Sequence, residues 1–359
     1  MSYLNHAGTS WPKPGGVRSA VAGTWETPAR DWPGDFNADH GAVARWLGIA
    51  DPQRLLLTPG CTAALAVALA DLEWQAGERV LCSSFEHQAL ARPLGALARD
   101  HGVEVVAIPP SKISSFDLDA FERGLEGGAR LVALAWAGNI TGEIVPARAI
   151  IERAHAHGAL VLLDAAQAAG WLPIDVSELG VDLLAFAGHK GPQAPWGIGG
   201  LYVAPHVQMR CGDAVCSLGE RSTMPSYCDT GSVDRAALAG LVAGLEWLEE
   251  RPERLEHGRA AIERLRHAIP SRDVVFYGPE VERRVPTLAL THPGVNASAL
   301  AASLRKQDVI VAAGSMCAPQ AHATLGTAEH GVLRLSVGPS TTEDELAHAE
   351  RVLRDVFQA

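Results

Sequence analysis

Leu160-Val-Leu-Leu-Asp164-Ala-Ala-Gln167 and Leu183-Leu-Ala-Phe-Ala187-Gly-His-Lys190 decide the reading of this chain. Each begins as an apolar run of strand length with no polar alternation, as strands covered on both faces do. Each then ends at a titratable residue. A carboxylate at the end of a buried strand is costly unless it meets a cation. Asp164 is therefore either the partner of a cation, such as a pyridinium nitrogen, or the N-cap of a helix over Ala165-Ala-Gln-Ala-Ala. Lys190 precedes the glycine-rich Gly191-Pro-Gln-Ala-Pro-Trp-Gly-Ile-Gly-Gly. An ordinary surface lysine explains neither those glycines nor the adjacent His189. A desolvated lysine, with its pKa lowered, can form an imine.

Outward from these two strands the same alternation of apolar runs and amphipathic helical stretches extends from residue 54 to about 203. Further strands are predicted at Arg54 to Thr58, Arg79 to Ser84, Val103 to Ile108, Leu131 to Trp136 and Gly199 to Val203. The pattern is that of an α/β fold: a large domain with a mainly parallel seven-stranded sheet flanked by helices. In such sheets ligands bind beyond the carboxyl ends of the strands, where Asp164 and Lys190 lie. Thr58-Pro-Gly-Cys-Thr, before a helix starting near Thr62, offers free amides that form an anion site or simply a turn and a cap. After Ala237 one long helix is predicted through Leu248 to about His267. The remainder reads as a smaller C-terminal α+β unit with strands at Pro286 to Thr291, Val309 to Ala312 and Val332 to Val337. A last helix is signalled by the capping box Thr342 to Glu345, with Arg351 and Arg354 near its end. The expected division is 15–245 for the large domain and 1–14 with 246–359 for the small one.

The formal charge of −11 over 359 residues, with no Lys/Arg run, excludes a polyanion-binding surface, so no nucleic-acid partner is expected. No signal peptide and no bilayer-spanning segment is read, and the expected location is the cytoplasm. The six cysteines, Cys61, Cys82, Cys211, Cys216, Cys228 and Cys317, lack the spacing of a zinc site and are expected to be mostly free thiols, with no metal.

In their order along the chain, several motifs resemble the class V aminotransferases of pyridoxal phosphate (PLP) fold type I, and within them the cysteine desulfurases and desulfurase-like proteins. They are Tyr3-Leu-Asn-His-Ala-Gly-Thr-Ser-Trp-Pro-Lys-Pro, Phe85-Glu-His-Gln, Asn139-Ile-Thr-Gly-Glu-Ile-Val-Pro, Asp164-Ala-Ala-Gln, Gly188-His-Lys, Gly314-Ser-Met-Cys-Ala-Pro and Val332-Leu-Arg-Leu-Ser-Val-Gly. The resemblance implies that Lys190 holds PLP as a Schiff base, Asp164 pairs with the pyridine nitrogen, Gln167 bonds the phenolic oxygen and His87 stacks on the ring. It implies that Thr62, the amides around Gly60 and Cys61, and His189 hold the phosphate, with Ser232 reaching the phosphate of the neighbouring subunit of a homodimer. Asn139 and Arg334 would hold the substrate carboxylate, and Cys317 aligns with the desulfurase nucleophile.

The chain departs from the pattern at several places. Ala312 stands where desulfurases often have arginine, and Ala187 where a Ser or Thr is usual. Asn5-His replaces the commoner Asp-Asn, and the stretch from Ala20 to His40 does not reproduce the loop that closes one side of the family's pocket. Three functions stay open on this reading. The first is a cysteine desulfurase that converts L-cysteine to alanine and a persulfide on Cys317, with a sulfur-acceptor protein as a further partner. The second is another class V reaction on a different amino acid, such as C–S lysis, epimerisation or transamination. The third is a non-catalytic member.

Overall fold

A computed structural model describes residues 1–31, 36–111, 115–209, 232–270 and 274–358. The chain begins with β1 (Ser2–Tyr3), α1 (Gly15–Glu26) and α2 (Phe36–Trp46). It continues through β2 (Leu55–Thr58), α3 (Cys61–Ala70), β3 (Arg79–Ser83), α4 (Gln88–His101), β4 (Glu104–Ile108), α5 (Leu118–Glu126), β5 (Leu131–Ala135), α6 (Ala147–Ala156), β6 (Leu160–Asp164), α7 (Val176–Leu179), β7 (Leu183–Ala187) and β8 (Gly199–Val203). These strands form one seven-stranded sheet in the order β2-β8-β7-β6-β5-β3-β4. All neighbours run parallel except β8, which is antiparallel to both β2 and β7. The sheet is thus mainly parallel and helix-flanked, as the apolar runs indicate, and β5, β6 and β7 at its centre are almost wholly buried.

The carboxyl ends of β6 and β7 are joined by direct backbone contact. A Cβ added at Gly191 would lie 2.0 Å from the Ala169 oxygen, and one at Gly170, which has φ +85°, would lie 2.2 Å from the Gly191 carbonyl carbon. No side chain fits at either place, so glycine there is a steric requirement. The loop carrying Lys190 therefore rests on the loop that follows Asp164. Gln193 reinforces this turn by donating from its backbone N to the Lys190 oxygen at 3.0 Å and from Nε2 to the Gly191 oxygen at 2.9 Å.

Past the large sheet come α8 (Arg235–Glu249), α9 (Arg254–Ala268), β9 (Val275–Tyr277), β10 (Thr287–Thr291), α10 (Ala297–Arg305), β11 (Val309–Ile310), β12 (Ala312–Gly314), α11 (Pro319–Leu325), β13 (Val332–Ser336) and α12 (Glu343–Gln358). The single helix expected over 237–267 is two, broken at Arg251-Pro-Glu. Proline lacks an amide hydrogen and disfavours helix in the preceding residue. The two segments serve different cores: Leu238, Leu241 and Leu245 pack with the large sheet, whereas Ile262 and Leu265 pack with β10, β13 and α12.

The strand expected over Val309 to Ala312 is also divided. Val309–Ile310 pairs in parallel with β1, and beyond Val311 the chain turns to pair β12 antiparallel to β13. β9 and β1 were not anticipated, being short. The helix considered after Asp164 is a turn, in which Asp164 Oδ1 accepts from Ala166 N at 2.8 Å. The capping box of α12 is formed: Thr342 N donates to Glu345 Oε2 at 2.9 Å, and Glu345 N to Thr342 Oγ1 at 3.2 Å.

Because Gly191 has no room for a methyl group, Gly191→Ala is expected to destabilise the protein by about 3 kcal/mol or more. The midpoint of urea unfolding measures it, and an unchanged midpoint would mean that the contact between the two loops is not tight.

Candidate active site

The carboxyl ends of β3, β5, β6 and β7 open onto a cavity of about 580 Å³, within the range of small-molecule sites. Its lining includes Gly60, Cys61, Thr62, His87, Asn139, Asp164, Gln167, His189 and Lys190, so the structure brings nine of the residues singled out in the sequence to one place. Trp196, from the glycine-rich loop, lies at its edge and is exposed.

Lys190 keeps part of its surface open to the cavity while its amine is enclosed by protein. That enclosure lowers its pKa, and the nearby Asp164 carboxylate opposes the shift. Asp164 is buried, and its Oδ1 receives the Ala166 amide and the Cys61 thiol, whose Sγ lies 3.3 Å away. Burial and the Asp164 charge hold the Cys61 thiol well above its ordinary pKa, so it stays protonated and donates. At the start of α3 the first intrahelical bond is Ala64 N to Gly60 O at 3.1 Å, which leaves the amides of residues 61 to 63 pointing out of the helix end. A Cβ at Gly60 would meet nothing within 4 Å. An anion fits there.

His87 is the N-cap of α4, and its Nδ1 accepts from Ala89 N at 3.0 Å. The neutral ring therefore carries its proton on Nε2. Desolvation and then Lys190 lower its pKa, which favours that neutral form. His189 is pushed down to about 4 by burial, Lys190 and Lys13, and its Nδ1 lies 3.1 Å from Thr9 Oγ1. Gln167 spends one amide hydrogen on the Ala7 oxygen at 2.9 Å and keeps the other. Asn139 Nδ2 donates to the Met316 oxygen at 2.9 Å, and its own backbone oxygen accepts from Arg334 Nη1 at 2.8 Å.

Arg334 is buried beside this wall rather than on the cavity lining, and its charge acts on both His87 and Lys190. Cys317 also lies outside the lining. It is exposed, between β12 and α11, with φ +59° following Met316 at φ +42°, and its oxygen accepts from Gln88 N at 2.8 Å. Ser232 is exposed ahead of Asp234, the N-cap of α8, and does not line the cavity of its own chain. Cys61 and Cys82 are free and buried, whereas Cys211, Cys216 and Cys228 lie outside the described residues, as does part of the stretch from Ala20 to His40.

Two residues of the region carried no weight in the sequence reading. Lys13 is held at Ser10 Oγ, 2.6 Å away, and at the His189 oxygen, 3.0 Å away, and burial lowers its pKa to about 8. Glu86 is buried, with Oε2 accepting from Ala135 N at 2.9 Å and Oε1 from the hydroxyl and amide of Ser83. Burial raises its pKa to about 8 despite the Ser83 hydrogen bonds, and the Asp164 charge adds to the rise. Glu86 sits just past the apolar strand Arg79–Ser83, the same signal that drew attention to Asp164.

The folded protein binds a proton at Glu86 that the unfolded chain releases above about 4.5, so this group costs stability as pH rises from about 4.5 to 8. Glu86→Gln removes that titration. The melting temperature of the variant minus that of the wild type is therefore expected to increase from pH 5 to pH 8. A difference flat with pH would mean that Glu86 is ionised throughout.

Residues 32–348 match the model of the family described as aminotransferase class-V. A relative from Vibrio cholerae serotype O1, named a probable cysteine desulfurase, is 30% identical over 346 residues, covering 90% of this chain and 82% of its own length. Among solved structures, the apo cysteine desulfurase of Thermococcus onnurineus NA1 superposes with a TM-score of 0.90 at 24% identity, covering 100% of this chain and 95% of its own. The cysteine desulfurase CsdA of Escherichia coli does so with 0.88 at 25% identity, covering 99% and 94%. With the site built at the ends of β3, β5, β6 and β7 and a family match over nearly its whole length, this chain belongs to the class V aminotransferase family.

Proposed function

We infer that the chain is a PLP-dependent cysteine desulfurase. The observation that carries this is the enclosed amine of Lys190 in a cavity that also holds Asp164, Gln167, His87 and the amino end of α3. The residues present fit the cofactor's chemistry. Lys190 is a nucleophilic amine, Asp164 is a buried anion suited to a protonated ring nitrogen, and the amides of residues 61 to 63, with Thr62 and His189, suit a phosphate. Gln167 has a free amide hydrogen for the phenolic oxygen, and His87 offers a ring for stacking. PLP, when bound, supplies an electron sink for the bond broken at the substrate Cα.

The chain's own residues do the rest. Asn139 and Arg334 orient the amino acid by its carboxylate, for which the planar guanidinium is suited. Burial lowers the pKa of Lys190, which favours the neutral amine that takes and returns the Cα proton. The Cys317 thiolate attacks the sulfur of the substrate. The C–S bond breaks, an S–S bond forms as a persulfide on Cys317, and the carbon skeleton takes up a proton to leave as alanine. A sulfur acceptor, a protein or a small thiol, must then reach Cys317, and the exposure of this residue supports that step.

The exposure of Ser232, and of Trp196 at the cavity edge, supports a homodimer in which Ser232 reaches the phosphate held by the other copy. The free thiols Cys61 and Cys82 support a reducing, cytoplasmic setting. No helix among the described residues is long and apolar enough to cross a membrane.

The test is sulfide and alanine production from L-cysteine with a reductant by the PLP-loaded protein, beside Cys317→Ser. Equal yields of the two products are expected from the wild type, with a loss of about 100-fold or more in the variant. A variant as active as the wild type would remove Cys317 from the mechanism. A wild type that leaves L-cysteine untouched would turn the search to other amino acids.

A further inference from the structure

The two departures from the desulfurase pattern at positions 5 and 312 meet on one side chain. Arg334 lies in β13, and the pairing of β12 with β13 sets Ala312 directly opposite it, while β10 sets Ala289 opposite on the other side. Directly opposed residues share a face of the sheet, so the guanidinium rises between two methyl groups. Its Nη2 donates to Asn5 Oδ1 at 3.0 Å, its Nη1 donates to the Asn139 oxygen at 2.8 Å, and its buried Nε has no partner.

Both of these partners are neutral oxygens. Among the described residues no carboxylate is paired with Arg334, although the side chain is only 4% exposed. A buried cation left without a counter-ion is unfavourable unless an anion arrives. Burial lowers the pKa of Arg334 to about 10, so it is still charged at neutral pH. Asn5 and Ala312, both neutral, thus leave the guanidinium without a charged partner from either position.

We propose that Asn5 determines specificity in this pocket: its carboxamide oxygen orients Arg334 without neutralising it, leaving one whole positive charge for the single carboxylate of the incoming amino acid. The inference rests on the reading of the cavity as an amino-acid site. Asn5 acts through Arg334 and is a positioning residue. Gly8 makes room for this carboxamide, since a Cβ there would lie 2.9 Å from Asn5 Oδ1.

Asn5→Asp and Asn5→Ala test the proposal by two readouts. The first is the melting temperature of the protein without PLP. The second is the affinity of the PLP-loaded protein for L-alanine, followed by the change in cofactor absorption, which requires no sulfur chemistry. Asn5→Asp is expected to raise the melting temperature, because it supplies the missing counter-ion, yet to weaken L-alanine binding about 10-fold or more, because the charge is already spent. Adding Ala312→Arg to Asn5→Asp restores a net positive charge and is expected to bring the affinity back to within about 3-fold of wild type. Asn5→Ala is expected to lower both stability and affinity, as loss of orientation alone would.

If Asn5→Asp lowers stability and affinity together, or leaves the affinity unchanged, the proposal is overturned. If the wild type binds no L-alanine, the amino-acid reading of the cavity falls, and the melting temperatures then decide alone. A rise in Asn5→Asp still identifies Arg334 as an uncompensated cation oriented by Asn5, and the absence of a rise overturns that.

Discussion

The site depends on keeping the Lys190 amine enclosed within reach of the Asp164 charge. Protein around the amine favours its neutral, nucleophilic form, and the Asp164 carboxylate opposes that shift. Neither effect would exist if the loops after β6 and β7 stood apart. Their separation is fixed by backbone against backbone at Gly170 and Gly191, where no side chain can intervene. A sheet whose central strands are buried on both faces makes this rigid, since β5, β6 and β7 cannot shift without opening the core.

Around that centre the other charges are arranged so that few are free. His87 and His189 are both driven towards the neutral form by burial and by Lys190. Glu86, close enough to Asp164 to feel its charge, is driven towards the protonated form. The crevice therefore sets neutralised histidines and Glu86 around Asp164 and the Lys190 amine, with the charge of Arg334 behind Asn139. This is a pattern suited to a ligand that is itself a zwitterion beside a phosphate-bearing ring. Asn139 ties these parts to the loop of Cys317, because it bonds Arg334 through its oxygen and Met316 through its amide.

Much of this was legible in the chain. Uninterrupted apolar runs ending in Asp164 and Lys190 led to the parallel sheet, and the functional end of that sheet followed from the polar residues just beyond the strands. The errors were local ones. Pro252 breaks a stretch whose apolar pattern continues, and a periodicity argument passes over a single proline. The strand at Val309 changes partners at Val311, an event set by the arrival of β1 from the other end of the chain, which no local pattern encodes. Long-range contacts also hide the role of Lys13 and the partner of Asn5, since His189 and Arg334 are far away in sequence. Glu86 was within reach of the same argument that found Asp164. Cys317 and Ser232 are exposed and outside the cavity of the chain, so geometry within one copy says less about them than about the buried wall.

Borohydride reduction of the PLP-loaded protein, followed by peptide mass spectrometry, tests the central claim most directly. The account predicts a phosphopyridoxyl group fixed to Lys190 and absent from every other lysine. Fixation at Lys13 or elsewhere, or no fixation after saturation with PLP, would contradict it.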